Sequence, residues 1–358
     1  MPRIKKVSAK AGASALIIAG GRGTRFWPAS RATRPKPLFA PDGKTSLLAE
    51  TIARLSPLIS PERIFVLVAA AHAKPFRREV AGRIPSRNLI VEPVGRNTAV
   101  AIAYGAAIIK RRLGPGTIAV MPADHMITPP EGFRDTIAGA IRLASEHRAI
   151  VVIGVPPTRP EPGFGYQQIG ARVGEGFKVA RFVEKPALAL AKRMVKSGKY
   201  LWNAGMFVMS SATLDAELES HAPSLKAATE RLAKSSNAVV AREYPKLKFD
   251  SFDRVVAEKS RNVLGVRARF EWHDVGSWDG LITAISGSGK SFARGDVIAM
   301  EAERYLAHSH SRLMVLFGVS DLIAVDTGDA ILIAHREHSP RLGEVVKELE
   351  RRGLHRYL

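Results

Sequence analysis

The sequence predicts an α/β fold, a parallel sheet wrapped by helices with a small β-rich region behind it. Three observations carry this expectation. Short β-branched, apolar runs alternate with stretches apolar at helical spacing through the first half of the chain, the pattern of successive strand–helix units. Two glycines and two small polar residues at 287–290 separate a helical run from new strand-like segments, which is a linker signal. The 358 residues suffice for one large domain and a smaller one, since a chain of this size buries about 75% of its unfolded surface. The expected division is a basic, frayed tail at 1–12, a main domain at 13–286 and a small β-rich domain ending in a helix at 291–358.

Residues 1–12 are basic like the start of a secretion signal, but the apolar stretch behind them is short and meets Gly20-Gly21, so no targeting role is expected. Strands are expected at 14–19, 63–70, 88–92, 117–121 and 149–155, where aliphatic residues run together between turn formers. Helices are expected between them at 46–55, 97–112 and 133–147. Ligands of such a sheet collect at the carboxyl ends of its strands. From Gly163 the pattern loosens, with strands at 164–173 and 177–184 and helices at 188–197 and 211–220. That stretch reads as an inserted lid or substrate region rather than more sheet. Residues 295–334 read as strands and turns, and 341–352 as one amphipathic helix.

A formal charge of +21 means the chain attracts polyanions, whether nucleic acid or free nucleotides. Aromatics make up only 7% and are not interleaved with the basic residues, which argues against a nucleic-acid stacking platform. No apolar run reaches the length that spans a bilayer. The absence of cysteine excludes disulfides, thiolate metal sites and cysteine nucleophiles, and suits a reducing cytoplasm. Any metal must sit on oxygen or histidine.

Residues 1–41 hold nine Lys or Arg and no acid, and five of those cations fall in the loop after the first strand, IIAGGRGTRFWPASRATRPKPL. The loop lacks the lysine of a Walker motif and the third glycine of a dinucleotide fingerprint. Glycines at 20, 21 and 23 admit backbone N–H groups to phosphate oxygens, and fixed guanidinium groups such as Arg25 neutralise a triphosphate. Pro28, Pro35 and Pro37 stiffen the loop and hold Lys36 in place. Asp124 follows the fourth strand at the sheet edge, where it serves either as a Mg²⁺ ligand or as a turn carboxylate. His125 reads as a metal ligand or a structural hydrogen-bonder, Glu184-Lys185 as a sugar-phosphate contact or a surface ion pair, and Asn97, opening a helix, as its N-cap.

Gly20-Gly21-Arg22-Gly23-Thr24-Arg25, then Pro28 and Pro35-Lys36-Pro37, resemble the signature of the sugar-phosphate nucleotidyltransferases. Further along, VEPVGRNTAVAIAYGA, MPADH, FGYQQIG, FVEKP, WNAGMFV, SFDRVVAEKS and WHDVGSW follow in order. Together they resemble the mannose-1-phosphate guanylyltransferases over nearly the whole chain. Val100 and Pro37 depart from the residues usual in that family, without removing a functional group. The resemblance implies a Rossmann-like nucleotide-diphospho-sugar transferase domain with a mostly parallel mixed sheet, then a β-helix-like domain. It implies GMP transfer from GTP to mannose 1-phosphate, and, because the chain ends early for an isomerase domain, a monofunctional enzyme.

The resemblance also implies roles. Gly20, Gly21, Gly23, Thr24 and Arg25 would hold the triphosphate, and Glu92, Asn97 and Thr98 would lie at the base. Asp124 and Asp274 would share Mg²⁺. Glu184 and Asn203 would meet mannose hydroxyls, Gly165 would offer backbone to the sugar, and Lys185 would meet the 1-phosphate. Arg25, Lys36 and Lys185 would carry catalysis by charge. Other hexose-1-phosphate nucleotidyltransferases using UTP, TTP or ATP, and a non-catalytic sugar-nucleotide sensor, stay open. The partners expected are GTP and mannose 1-phosphate, with no dedicated nucleic acid and no membrane; a homodimer is one open outcome, the C-terminal region packing either on the catalytic domain or on a partner subunit.

Overall fold

The structure is a computed structural model that describes residues 12–358 except Arg22, Ala32 and Ser288. The tail expected at 1–12 therefore lies, but for Gly12, outside the described residues, as does Arg22. The main domain runs β1 (Ala13–Ile18), α1 (Leu47–Leu55), β2 (Ile64–Ala69), α2 (Ala73–Val80), β3 (Leu89–Glu92), α3 (Asn97–Leu113) and β4 (Thr117–Pro122). It continues through β5 (Met126–Thr128), α4 (Pro130–His147), β6 (Ile150–Val155), β7 (Gly165–Val173), β8 (Gly176–Glu184), α5 (Leu188–Ser197) and β9 (Tyr200–Ser210). After α6 (Ser211–His221), α7 (Pro223–Leu232) and α8 (Asn237–Glu243) come β10 (Val263–Arg267), β11 (Glu271–His273) and α9 (Trp278–Ser286).

Nine of these strands form one sheet in the order β3-β2-β1-β4-β9-β6-β10-β8-β7. β3, β2, β1 and β4 are parallel, whereas β9 runs antiparallel between β4 and β6. Both faces are covered, as a parallel sheet requires. On β1, Ala15 and Ile17 enter one apolar core while Leu16 enters the other. β1 is correspondingly a continuous apolar run rather than an alternating one.

The expectation of a separate lid from Gly163 onward is corrected. β7, β8, β9 and β10 all join the central sheet. Strands at β7 and β8 were expected, but Asn203 and Gly205 interrupt the apolar run of β9 and hid the strand that joins this region to the sheet. The antiparallel course of β9 has a consequence for the site: Asn203 pairs with Gly154 near the carboxyl end of β6 and so lies at the sheet's ligand edge.

The C-terminal part is built of β12 (Phe292–Arg294), β13 (Val297–Met300), β14 (Leu306–His308), β15 (Met314–Phe317), β16 (Leu322–Asp326), β17 (Ile331–His335) and α10 (Gly343–Arg351). β12, β14 and β16 stack in parallel, and so do β13 and β15. Successive turns of chain thus feed two sheets alternately, which is the coil of a β-helix, and antiparallel β17 closes it. A third core joins this coil to the loop after β1: Phe26, Trp27 and Phe39 pack with Trp278, Leu306, Ile323 and Val346. No helix among the described residues is long and apolar enough to cross a membrane.

Candidate active site

The loop after β1 tightens into two short 3₁₀ turns, Thr24–Phe26 and Lys36–Leu38. Gly23 sits at φ 57°, and a Cβ there would lie 2.6 Å from Ser30 Oγ and 2.8 Å from Lys36 Cβ. Only glycine meets both demands. The close approach seats Lys36, which is 6% exposed with its ammonium 5.6 Å from the Phe26 ring centroid. Lys36 Nζ donates to Asp124 Oδ2 at 2.6 Å and to the Asp274 carbonyl at 3.1 Å. One lysine therefore joins the ends of β4 and β11, which the sequence separates by 150 residues.

Asp274 opens a turn in which Val275 takes φ 46°, a strained value for a β-branched residue. Burial works against its ionisation, but His125, with Lys36 and Arg25, outweighs that and holds the carboxyl well below the usual range. His125 Nε2 stands 3.5 Å from Asp274 Oδ1. Its Nδ1 accepts the Trp272 indole N–H at 3.0 Å, so the ring proton belongs on Nε2, facing Asp274. His125 is thus the structural hydrogen-bonder of the two readings. Among the described residues no three His, Cys, Asp or Glu gather as a metal cage. Two carboxylates beside room for phosphate oxygens are a donor set that fits Mg²⁺, which takes few protein ligands, and does not fit zinc.

Two lobes, each of about 280 Å³, meet at Gly20, Asp124 and Asp274. The first is walled by Gly21, Gly23, Thr24, Arg25 and Lys36. The second is walled by Thr98, Gly165, Glu184, Lys185 and Asn203, with Phe164 and Trp272 as its aromatic side. Gly165 pairs with Glu184 across β7 and β8, and a Cβ at Gly165 would meet Glu184 Oε2 at 2.6 Å. Glu184 has a side chain only 7% exposed and contacts Lys185 Nζ at 3.2 Å. Its burial pushes the carboxyl up, against the pull of Lys185. Lys185 itself is half exposed at φ 50°.

Two of the expected base contacts line neither of these lobes. Glu92 ends β3 but is 2% exposed and accepts the hydroxyl of buried Tyr244. It borders neither lobe, because a carboxylate at the end of a fully buried strand found its partner inside. Asn97 does not cap α3. It is the helix's first residue, at φ 63°, and its Nδ2 donates to the Phe249 carbonyl at 3.0 Å. Thr98 does reach the second lobe, with its Oγ1 accepting the Phe252 N–H.

The sequence reading missed Asp253, which lines the second lobe beside Asn203. Its signal was present in SFDRVVAEKS, a stretch given no role. It also left Arg31 unassigned. That guanidinium grips Asp329 of the β-helix through both its terminal nitrogens, at 2.6 and 2.9 Å.

Residues 14–290 match the family model described as Nucleotidyl transferase, and 295–349 match the MannoseP isomerase/GMP-like beta-helix domain. A mannose-1-phosphate guanylyltransferase of Escherichia coli (strain K12) is 34% identical over 96% of this chain and 74% of its own. The xanthan biosynthesis protein XanB of Xanthomonas campestris is 33% identical over 94% of this chain and 73% of its own. The crystal structure of a Thermus thermophilus protein named mannose-1-phosphate geranyltransferase superposes with a TM-score of 0.87 at 34% identity, covering 95% of this chain and 99% of that one.

Proposed function

The chain belongs to the nucleotidyl transferase family, in its mannose-1-phosphate guanylyltransferase branch, and from that premise we propose that it transfers GMP from GTP to mannose 1-phosphate, releasing pyrophosphate. The observation that carries the reading is the pair of lobes meeting at Asp124 and Asp274, one lined by glycines and cations, the other by Glu184, Lys185 and Asn203.

A phosphate oxygen of the sugar phosphate attacks the α-phosphorus of GTP in line, and pyrophosphate leaves. The phosphate monoester is already largely ionised near neutral pH, so no side-chain base is needed. Two anions must meet, and the protein's contribution is positioning and neutralisation. Gly20, Gly21, Gly23, Thr24 and Arg25 hold the triphosphate, Lys36 stands at the junction of the lobes, and Lys185 reaches the incoming phosphate. Glu184, Asn203 and the backbone at Gly165 meet the sugar. A divalent cation, which we take to be Mg²⁺, would be held by Asp124 and Asp274 and, when bound, supplies positive charge to phosphate oxygens. We assign the chemistry to residues 13–286, place a β-helix domain at 291–358, and propose a second copy of the chain as the partner of that domain's apolar outer face.

The experiment is pyrophosphate release across four nucleoside triphosphates and several hexose 1-phosphates with Mg²⁺. Preferred turnover of GTP with mannose 1-phosphate is expected. Preference for UTP or TTP with glucose 1-phosphate moves the reading to another branch, and no turnover anywhere makes the chain a sensor.

A further inference from the structure

The second lobe holds a carboxyl group to which the proposed reaction assigns no role. Asp253 begins a π-helical turn, Asp253–Ala257, in which the Glu258 N–H closes on the Asp253 carbonyl at 2.8 Å. Single π turns recur at functional sites because the wider turn re-aims one side chain. Here the re-aimed side chain is recessed in the wall of the lobe. Asp253 Oδ1 accepts Asn203 Nδ2 at 2.8 Å, while Asn203 Oδ1 accepts the Gly205 N–H at 3.2 Å.

Both ends of the Asn203 amide are therefore fixed, and its orientation is set by Asp253. The amide retains one N–H and one oxygen lone pair for a ligand. Asp253 Oδ2 accepts no hydrogen bond from another side chain among the described residues. Glu184 faces the same lobe, and its backbone N–H is held by Glu258 Oε1 at 2.6 Å, just beyond the π turn. Two carboxyls and an oriented amide thus share one wall. A site built to hydrogen-bond hydroxyls rejects analogues that leave its polar groups unpaired.

We propose that Asp253 binds a hydroxyl of the sugar through Oδ2 while orienting Asn203 through Oδ1, and so sets which hexose configuration the site accepts. The inference rests on the reading of the second lobe as the sugar-phosphate side. Burial, with the charge of Glu184, pushes the Asp253 carboxyl up to about 7, consistent with a group whose ordinary solvation is to be replaced by a ligand.

The test compares wild type, Asp253→Asn and Asp253→Ala for KM and kcat with mannose 1-phosphate, with glucose 1-phosphate, and with GTP varied. Asp253→Asn retains an oxygen for Asn203 and puts an N–H donor where Oδ2 stood, so it reverses the direct contact from acceptor to donor. A rise of roughly tenfold in KM for mannose 1-phosphate is expected, the scale of one lost hydrogen bond. KM for GTP should stay within about twofold and the preference for mannose over glucose 1-phosphate should shrink. Asp253→Ala should lose more, because Asn203 is released as well. Thermal melts of both variants identify misfolding. A folded Asp253→Asn with unchanged KM and unchanged epimer preference overturns the proposal, as does a parallel rise in both KM values. Wild type inactive on every hexose 1-phosphate overturns instead the functional reading on which the proposal rests.

Discussion

Glu92 and Tyr244 share a hydrogen bond out of water's reach, and burial pushes the Glu92 carboxyl up to about 7 against the opposing pull of that bond. The folded chain thus holds this proton more tightly than the unfolded chain, whose ordinary value is 4.5. Its contribution to stability is complete below pH 4.5 and is lost as pH rises through 7, a change of about 3 kcal/mol at most. Glu92→Gln keeps an acceptor for Tyr244 without the titration. The melting temperature of wild type relative to Glu92→Gln should fall between pH 5 and pH 8. A difference flat with pH refutes the assignment. At the cations, Arg25→Ala and Lys185→Ala should each lower turnover roughly 10²- to 10³-fold, the scale of losing one preorganised electrostatic contact. Initial rates near wild type would remove those residues from the mechanism. Asp124→Asn and Asp274→Asn should each weaken the response to Mg²⁺, read by titrating the metal against rate. That Lys36 and Asp124 meet could not be read from sequence, since 88 positions separate them, although each was singled out there as a loop cation and a strand-end carboxylate. The partner of Glu92 was not legible because it lies 152 positions away, a distance at which sequence offers no pairing.

At the scale of elements, the site depends on turns that hold unusual backbone. Asn97, Lys185 and Val275 all have positive φ, and each stands where a strand or loop delivers a group to the cleft. Such conformations cost about 1–3 kcal/mol each and persist where packing determines them. Gly165 shows the complementary device, a missing side chain that leaves space for Glu184. Gly165→Ala should drive Glu184 Oε2 from its place and raise KM for the sugar phosphate, with KM for GTP little changed. Equal changes in both would show a general distortion of β7. The longer strands and helices of the first half were legible because their burial is simple, apolar on one stripe or on both faces, whereas short α2, with only Phe76 and Val80 buried, and three-residue β5 were not. β9 was not, because Asn203 and Gly205 interrupt its apolar pattern.

The whole molecule ties its C-terminal coil to the phosphate-side loop. Arg31 grips Asp329, and the Trp27 indole donates to the Tyr357 carbonyl at 2.8 Å. The coil therefore braces the loop that carries Arg25 and Lys36, a coupling invisible in sequence because the partners lie about 300 residues apart. Its other side is unlike the rest of the surface. Ile298 pairs with Val315 and Met300 with Phe317 across β13 and β15, and these four are 46–63% exposed on one face while Leu316 faces inward. Leu313, Ile331 and Ile333 are exposed in the same coil. The contiguous strip on β13 and β15 is an exposed apolar surface of the kind that marks an interaction site. The four side chains of the β13–β15 face carry no charge, so a copy of the same face meets them without the repulsion that a +21 chain imposes elsewhere. Sedimentation equilibrium should give a dimer at micromolar concentration for wild type and a monomer for Phe317→Asp combined with Val315→Lys. Turnover per chain should be retained if the coil's brace on the loop lies within one chain, as the Arg31–Asp329 pair does. A monomeric wild type refutes the dimer, and a monomeric variant that has lost turnover while folded would mean that the second copy also supports the site.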